Sequence, residues 1–321
     1  MADKDTLINF AGLGSDDDLS SPATFNPYDQ NPTITTRYAV ISAPYEATVS
    51  YGKGASLGPA AILEASTHME LYDEELQSEP WRAGIETLPP LDILRLQPEE
   101  MVDAVHKASA VVIADEKIPV LLGGEHSVTL GLFRALKEKH PKLSVLHLDA
   151  HADMRAVYDG TPFSHACIAR RMAEEGAPLV QLGIRSMSQL EALFLGDGGT
   201  GDILNVRSYQ ARQLRAGIDI KEVLAHLSDE VFITIDLDVF DPSIMPSTGT
   251  PEPGGLLWEE VLTILRSIIS RKKIVGFDIV ELSPVEGNAA PDFMAARLAY
   301  RIMGYINKSI DSINQEKHNK E

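Results

Sequence analysis

Apolar positions along the chain fall into short β-branched runs separated by longer stretches of helical period. "YAVISA", "IPVLLGG", "LSVLHLD", "LVQLGI", "VFITIDLD" and "KIVGFDIV" are rich in Val, Ile and Leu and bounded by Gly, Asp or Pro. That is the pattern of strands buried on both faces. Between them, helices are predicted near 58–67, 98–115, 127–140, 165–175, 219–229 and 256–271. A further helix around 290–312 places Met294, Leu298, Ile302, Ile306 and Ile310 at i,i+4 spacing, which makes one packing face. Strand–helix alternation predicts an α/β fold, a mainly parallel central sheet flanked by helices.

Two stretches break this regularity. Residues 1–36, rich in Asp, Ser, Pro and Asn, read as an irregular arm packed on the domain or on a neighbouring subunit. "FLGDGGTGDILN", 194–205, reads as a surface loop rather than a boundary. With no internal repeat and no linker, residues 37–312 are expected to form a single domain, followed by a polar tail, 313–321.

Composition narrows the function classes. The chain has 321 residues, 44% of them hydrophobic, enough for a sizeable core. Its 28 basic and 47 acidic residues give a net charge of −19, which argues against a nucleic-acid partner and suits a small cationic substrate. The single cysteine, Cys167, excludes an intrachain disulfide and is expected to be buried and inert. No apolar run has membrane-spanning length, and "MADKDTLINF" lacks the apolar core of a secretory signal, so a cytoplasmic protein with no membrane partner is expected.

The chemistry is concentrated in three places. In "LHLDAHADMR", Asp149, His151 and Asp153 would share one face if the chain stays extended. In "ITIDLDVFDP", Asp236 and Asp238 repeat the i,i+2 spacing after an apolar run. "LLGGEHSVTLG" supplies two glycines for close backbone approach, then Glu125 and His126 opening a helix. All three lie at the C-terminal ends of predicted strands, the edge on which open α/β sheets assemble their sites. Packing these ionisable groups together is costly unless a cation neutralises them. His126, Asp149, His151, Asp153, Asp236 and Asp238 suffice for two metals if two carboxylates bridge. Nitrogen and oxygen donors suit Mn²⁺, with Co²⁺, Ni²⁺ or Zn²⁺ open.

Taken together, "GGEHS", "DAHAD", "DLDVFDP", "STGTPEPGGL" and "GFDIVELSP" resemble the ureohydrolase family of arginases and agmatinases, most of all its prokaryotic agmatinases, with a weaker match in "SYGKGASLGPAAILEAS". The resemblance implies a three-layer arginase-like fold, two Mn²⁺ ions and a homotrimer or homohexamer. It implies one metal on His126, Asp149, Asp153 and Asp236 and another on Asp149, His151, Asp236 and Asp238, so that Asp149 and Asp236 bridge. Two such cations would yield hydroxide near neutral pH, aimed at the guanidinium carbon. His165 in "PFSHACIARR" resembles the family's proton-shuttling histidine, and Glu281 in "DIVELSP" the carboxylate that holds the guanidinium. His147 is not a ligand position and is expected to support or pack, and Asp278 to be structural.

The expected reaction is hydrolysis of a guanidino group to urea and an amine, with agmatine, giving putrescine, as the leading substrate. Arginine-specific members use an Asn- and Ser-containing segment after the metal motif; here it reads "MRAVYDGTPF", with Arg155 where an Asn would stand. N1-aminopropylagmatine remains open, as does 4-guanidinobutyrate if Arg155 pairs with its carboxylate. From other classes, a metal deacetylase or phosphoesterase is disfavoured by the lack of a Gly-rich phosphate cradle, and a non-catalytic relative by the completeness of the ligand set.

Overall fold

A computed structural model of the chain describes residues 7–13, 36–196, 200–201 and 205–318. The strands are β1 (Tyr38–Ala43), β2 (Ile85–Thr87), β3 (Ile118–Gly123), β4 (Ser144–Leu148), β5 (Leu179–Ile184), β6 (Thr200–Gly201), β7 (Val206–Gln210), β8 (Glu230–Asp236) and β9 (Lys273–Val280). They form one sheet in the order β2-β1-β3-β9-β8-β4-β5-β7-β6. Every pairing is parallel except that of β6 with β7. The helices are α1 (Gly58–Ser66), α2 (Pro98–Ala114), α3 (Thr129–Lys139), α4 (Ile168–Glu174), α5 (Gln189–Leu195), α6 (Ala211–Gly217), α7 (Ile220–His226), α8 (Trp258–Ile269) and α9 (Ala290–His318).

The continuous apolar runs are the central strands, and both of their faces are covered. On one face Val40, Leu122, Leu146, Ile233 and Phe277 pack against α1, α7, α8 and α9. On the other, Ile41, Leu121, Val145, Phe232 and Val275 pack against α2, α3 and α4. The result is three layers, helices–sheet–helices. In α9, Leu298, Ile302 and Ile306 are buried and Met294 and Ile310 pack at the margin, so the i,i+4 face is core.

Several elements escape the hydrophobic pattern. β2 is three residues long and β7, "VRSYQ", carries polar residues as a strand near the sheet edge does. β6 lies inside the stretch read as a loop. α5 and α6 have one turn or two of helix with few buried residues. α9 continues to His318 because Gln315, Glu316 and Lys317 are good helix formers. Of the N-terminal arm, Phe10 and Ala11 are buried against the domain: the Phe10 N–H donates to Thr87 Oγ1 (2.8 Å) and the Ala11 N–H to Ser66 Oγ (2.9 Å). Residues 1–6 and 14–35 of the arm, like 319–321 of the tail, lie outside the described residues. No helix is long and apolar enough to cross a membrane among the described residues.

Candidate metal centre and active-site cleft

β3 and β4, consecutive strands, are separated in the sheet by β9 and β8. That interruption is where parallel sheets open a crevice beyond their C-terminal ends. Each of the four strands delivers chemistry there: His126 after β3, Asp149 to Asp153 after β4, Asp236 and Asp238 at the end of β8, and Glu281 after β9. All the sequence-predicted ligands therefore come together.

The local geometry differs from an extended ladder. β4 ends at Leu148, and the DAHAD segment turns across the sheet edge, leaning on the chain that leaves β5. The Arg185 and Ser186 N–H groups donate to the Ala150 carbonyl (2.8 and 2.9 Å), and the Ala152 N–H donates to the Ser186 carbonyl (3.3 Å). Asp153 takes a left-handed backbone, φ 51°. Likewise Leu237–Val239 is a 3-10 turn in which the Asp238 N–H donates to Asp236 Oδ1 (2.8 Å). His126 opens a 3-10 turn, His126–Val128, ahead of α3. The glycines before it do allow close approach: a Cβ on Gly124 would lie 2.0 Å from the Tyr45 carbonyl oxygen.

Two clusters result. His126 Nδ1 lies 3.2 Å from Asp149 Oδ2, 3.4 Å from Asp153 Oδ2 and 3.5 Å from Asp236 Oδ2. His151 Nδ1 lies 2.9 Å from Asp238 Oδ2 and 3.5 Å from Asp149 Oδ1. Asp149 thus offers one oxygen to each cluster. Asp236 presents Oδ2 to the first, while its Oδ1 accepts the Asp238 N–H. By proximity His147 also falls within the first group. Both its ring nitrogens are engaged, however: Nε2 is 2.8 Å from Asp149 Oδ2, and Gln181 Nε2, 3.0 Å from Nδ1, also donates to the Ala152 carbonyl at 2.6 Å. It supports Asp149, as the sequence suggests.

The donor set fits a divalent cation. His126 Nε2 sits 2.8 Å from Thr234 Oγ1, whereas Nδ1, facing three carboxylates, makes no hydrogen bond. A buried nitrogen aimed at acidic oxygens without a bond to any of them is a metal-ligand arrangement. Electrostatics agree. Burial, then the charges of Asp238 and Asp149, push Asp236 far up, and burial with Asp149 pushes Asp153 up. Burial lowers the basicity of His126, but the three carboxylates facing its Nδ1, those of Asp149, Asp153 and Asp236, outweigh burial and raise its pKa. Burial would raise Asp149, yet the His147 charge, the His147 hydrogen bond and the ring nitrogens of His126 and His151 close by hold it well down. The cluster needs positive charge, which a cation supplies directly.

Above the clusters opens a cleft of about 250 Å³. His151, Asp153, His165, Asp236 and Glu281 line it, together with Tyr51, Arg155, Tyr158 and Glu191. Asp238 is not part of its wall; its Oδ1 accepts the Ala150 N–H (2.9 Å). Glu281, in a left-handed conformation (φ 68°), accepts the His126 N–H through Oε1 at 2.6 Å. Burial drives its carboxyl up to about 8, with the His126 N–H opposing and Glu125 adding to the rise. Asp278 stays behind the site, accepting the Ile235 N–H at 3.2 Å, and burial raises it to about 6. Arg155 Nε lies 3.9 Å from Glu191 Oε2, with its guanidinium 5.2 Å from the Tyr158 ring. Cys167 is buried and its thiol is pushed up to about 11, chiefly by burial.

Four supporting residues carry no sequence signal of their role. Gln181 sits mid-strand in β5, Thr48 in the loop after β1, and Glu191 at the start of α5. Arg185 Nη2 donates to the carbonyls of Asp238 (2.6 Å) and Glu252 (2.8 Å), pinning the β8 turn.

The sequence model of the Arginase family matches residues 36–304. An N(1)-aminopropylagmatine ureohydrolase from Synechocystis sp. is 40% identical over 278 residues, 84% of this chain and 89% of the relative. An agmatinase from Pyrococcus horikoshii is 32% identical over 290 residues, 88% of this chain and 97% of the relative. The crystal structure of the agmatine ureohydrolase of Thermoplasma volcanium superposes with a TM-score of 0.77 at 30% identity, covering 88% of this chain and 94% of that one. With its sheet, its paired histidine–carboxylate clusters and these relatives in agreement, the chain belongs to the arginase family.

Proposed function

We infer that the chain hydrolyses a terminal guanidino group to urea and an amine, with agmatine, giving putrescine, as the leading substrate. The carrying observation is the pair of histidine–carboxylate clusters that share Asp149 beneath an acidic cleft. His126, Asp149, Asp153 and Asp236 would hold one ion, and Asp149, His151, Asp236 and Asp238 the other, with Mn²⁺ the proposed metal. Bound there, two divalent ions supply a water acidic enough to be a nucleophile at neutral pH.

The protein's own groups do the rest. Glu281 accepts hydrogen bonds from the guanidinium and turns its carbon toward the cluster floor. His165 takes a proton at its ring and returns it to the leaving nitrogen, so that an amine rather than an amide anion departs. Asp238 acts by holding His151 and the Ala150 N–H. A homotrimer or homohexamer in the cytoplasm is the proposed setting.

N1-aminopropylagmatine is the second reading. The 40% identical relative carries that activity in its name, and an extended trication suits the acidic wall. 4-Guanidinobutyrate is less favoured, because Arg155 already has Glu191 beside it and Tyr158 beneath it. The test is kcat/KM for urea release from agmatine, aminopropylagmatine, guanidinobutyrate and arginine on one Mn²⁺-loaded preparation. Agmatine or its aminopropyl derivative should lead by at least about tenfold. Metal-loaded protein that releases urea from none of them would leave a deacetylase, a phosphoesterase or a non-catalytic role.

A further inference from the structure

The cleft explains where His165 is but not which of its ring nitrogens bears the proton, and one buried acid has no part in the chemistry so far. Glu125 is fully buried next to His126. Its Oε2 accepts the N–H groups of Ala47 (2.7 Å) and Thr48 (2.6 Å), and its Oε1 accepts the hydroxyls of Thr48 (2.8 Å) and Ser127 (2.5 Å). Four donors on one carboxylate fix it as an acceptor. The Thr48 hydroxyl proton is therefore committed to Glu125, which leaves Thr48 Oγ1 only lone pairs to offer on its other side.

On that side stands His165. Thr48 Oγ1 accepts the His165 backbone N–H at 3.2 Å and lies 3.1 Å from His165 Nδ1, with Ser164 Oγ at 3.3 Å from the same nitrogen. A lone pair cannot bond another lone pair, so the shorter contact, Nδ1 to Thr48, is a hydrogen bond only with the hydrogen on Nδ1; Ser164 Oγ, which also accepts the Ala166 N–H (3.3 Å), then stands as a second, longer acceptor. The Tyr158 ring meets the imidazole edge-on, 5.5 Å between centroids at 83°, and limits rotation of the ring. Nε2, the ring nitrogen that does not face Thr48, then keeps its lone pair, in a side chain that lines the cleft.

We propose that Glu125 and Thr48 are positioning residues for the reaction, acting as a relay of hydrogen bonds that sets His165 in the Nδ1–H tautomer and so makes Nε2 the proton-accepting atom. Glu125 orients Thr48, and Thr48 orients His165; neither touches substrate. The arrangement parallels in logic any base whose far nitrogen is held by a fixed acceptor, here built from a hydroxyl whose own proton is locked by a carboxylate. It rests on the reading of His165 as the proton carrier.

The test compares wild type with Thr48→Val, which keeps the shape and removes the hydroxyl, and Thr48→Ser, which restores it. Metal per chain, kcat and KM for agmatine are measured on Mn²⁺-loaded enzyme. The His165 ring tautomer is read by long-range ¹H–¹⁵N NMR on the metal-free full-length protein, with the signal assigned by its loss in His165→Ala. Thr48→Val should bind the same metal and keep KM within about twofold, while kcat falls about ten- to hundred-fold and the ring leaves its single Nδ1–H form. Thr48→Ser should recover kcat to within about threefold and restore the tautomer. Wild-type kcat in Thr48→Val, an Nε2–H ring in wild type, or a rate loss that simply follows metal loss would each overturn the proposal. A wild-type enzyme silent on every guanidino substrate would sink the assigned reaction instead, and the ring signal would still decide the tautomer.

Discussion

Asp149 is the residue on which both clusters depend, since it alone offers an oxygen to His126 and to His151. Asp149→Ala should therefore strip metal from the protein, whereas His165→Ala should keep full metal and lose turnover about a hundredfold or more, as removal of an acid–base group does. Metal analysis beside kcat on the two variants decides; full metal in Asp149→Ala would dismantle the assignment. Asp278 makes a prediction of a different kind. Unfolded, its carboxyl titrates near 4; folded, it titrates at about 6, because burial disfavours the charge. The fold prefers its protonated form, so wild type loses stability as pH rises from about 4 to 6 and stays lower above that. Asp278→Asn keeps the shape without the charge. In the metal-free protein its stability relative to wild type should rise over that window and then level off, by a few kcal/mol at most, in denaturant titrations at stepped pH. A constant difference from pH 4 to 8 would refute it.

At the scale of elements, the central strands and the face of α9 were legible because burial on both sides, or along one stripe, leaves an unmistakable apolar pattern. Ile302 lies in the middle of that stripe and is fully buried. Ile302→Ala should cost about 2–5 kcal/mol of unfolding free energy with metal binding unchanged, since the helix is remote from the clusters; a loss under 1 kcal/mol would mean the face is not core. The metal-ligand candidates were legible for the same kind of reason, as charge where a buried strand should continue apolar. What stayed hidden was set by tertiary contact alone. β7 pairs through a polar run, α5 and α6 are too short for a period, and Thr48 becomes meaningful only when the β1 loop meets Glu125. The DAHAD side chains converge for a different geometric reason than their spacing predicts: through a turn pinned by the chain after β5, not through an extended alternation.

Over the whole molecule, the net charge of −19 surrounds a cleft built for a cation. Long-range attraction of this sort speeds encounter and is screened by salt. kcat/KM for agmatine should fall several-fold between about 0.02 and 0.5 M NaCl while kcat stays constant; a flat kcat/KM would show that the surface charge serves solubility only. The strand order has its own consequence. β9, the last strand of the chain, sits between β3 and β8, in the middle of the sheet. Until β8, α8 and β9 slide in, the β2-β1-β3 and β4-β5-β7 portions have no hydrogen-bonded seam between them, and His126 has nothing to hold it near Asp149. During synthesis, then, the candidate ligands from "GGEHS" and "DAHAD" emerge early, but the sheet that brings them together needs β9, residues 273–280. A metal site built this way would form only once the sheet closes, so a chain lacking β9 would offer ions scattered acids and imidazoles rather than a site.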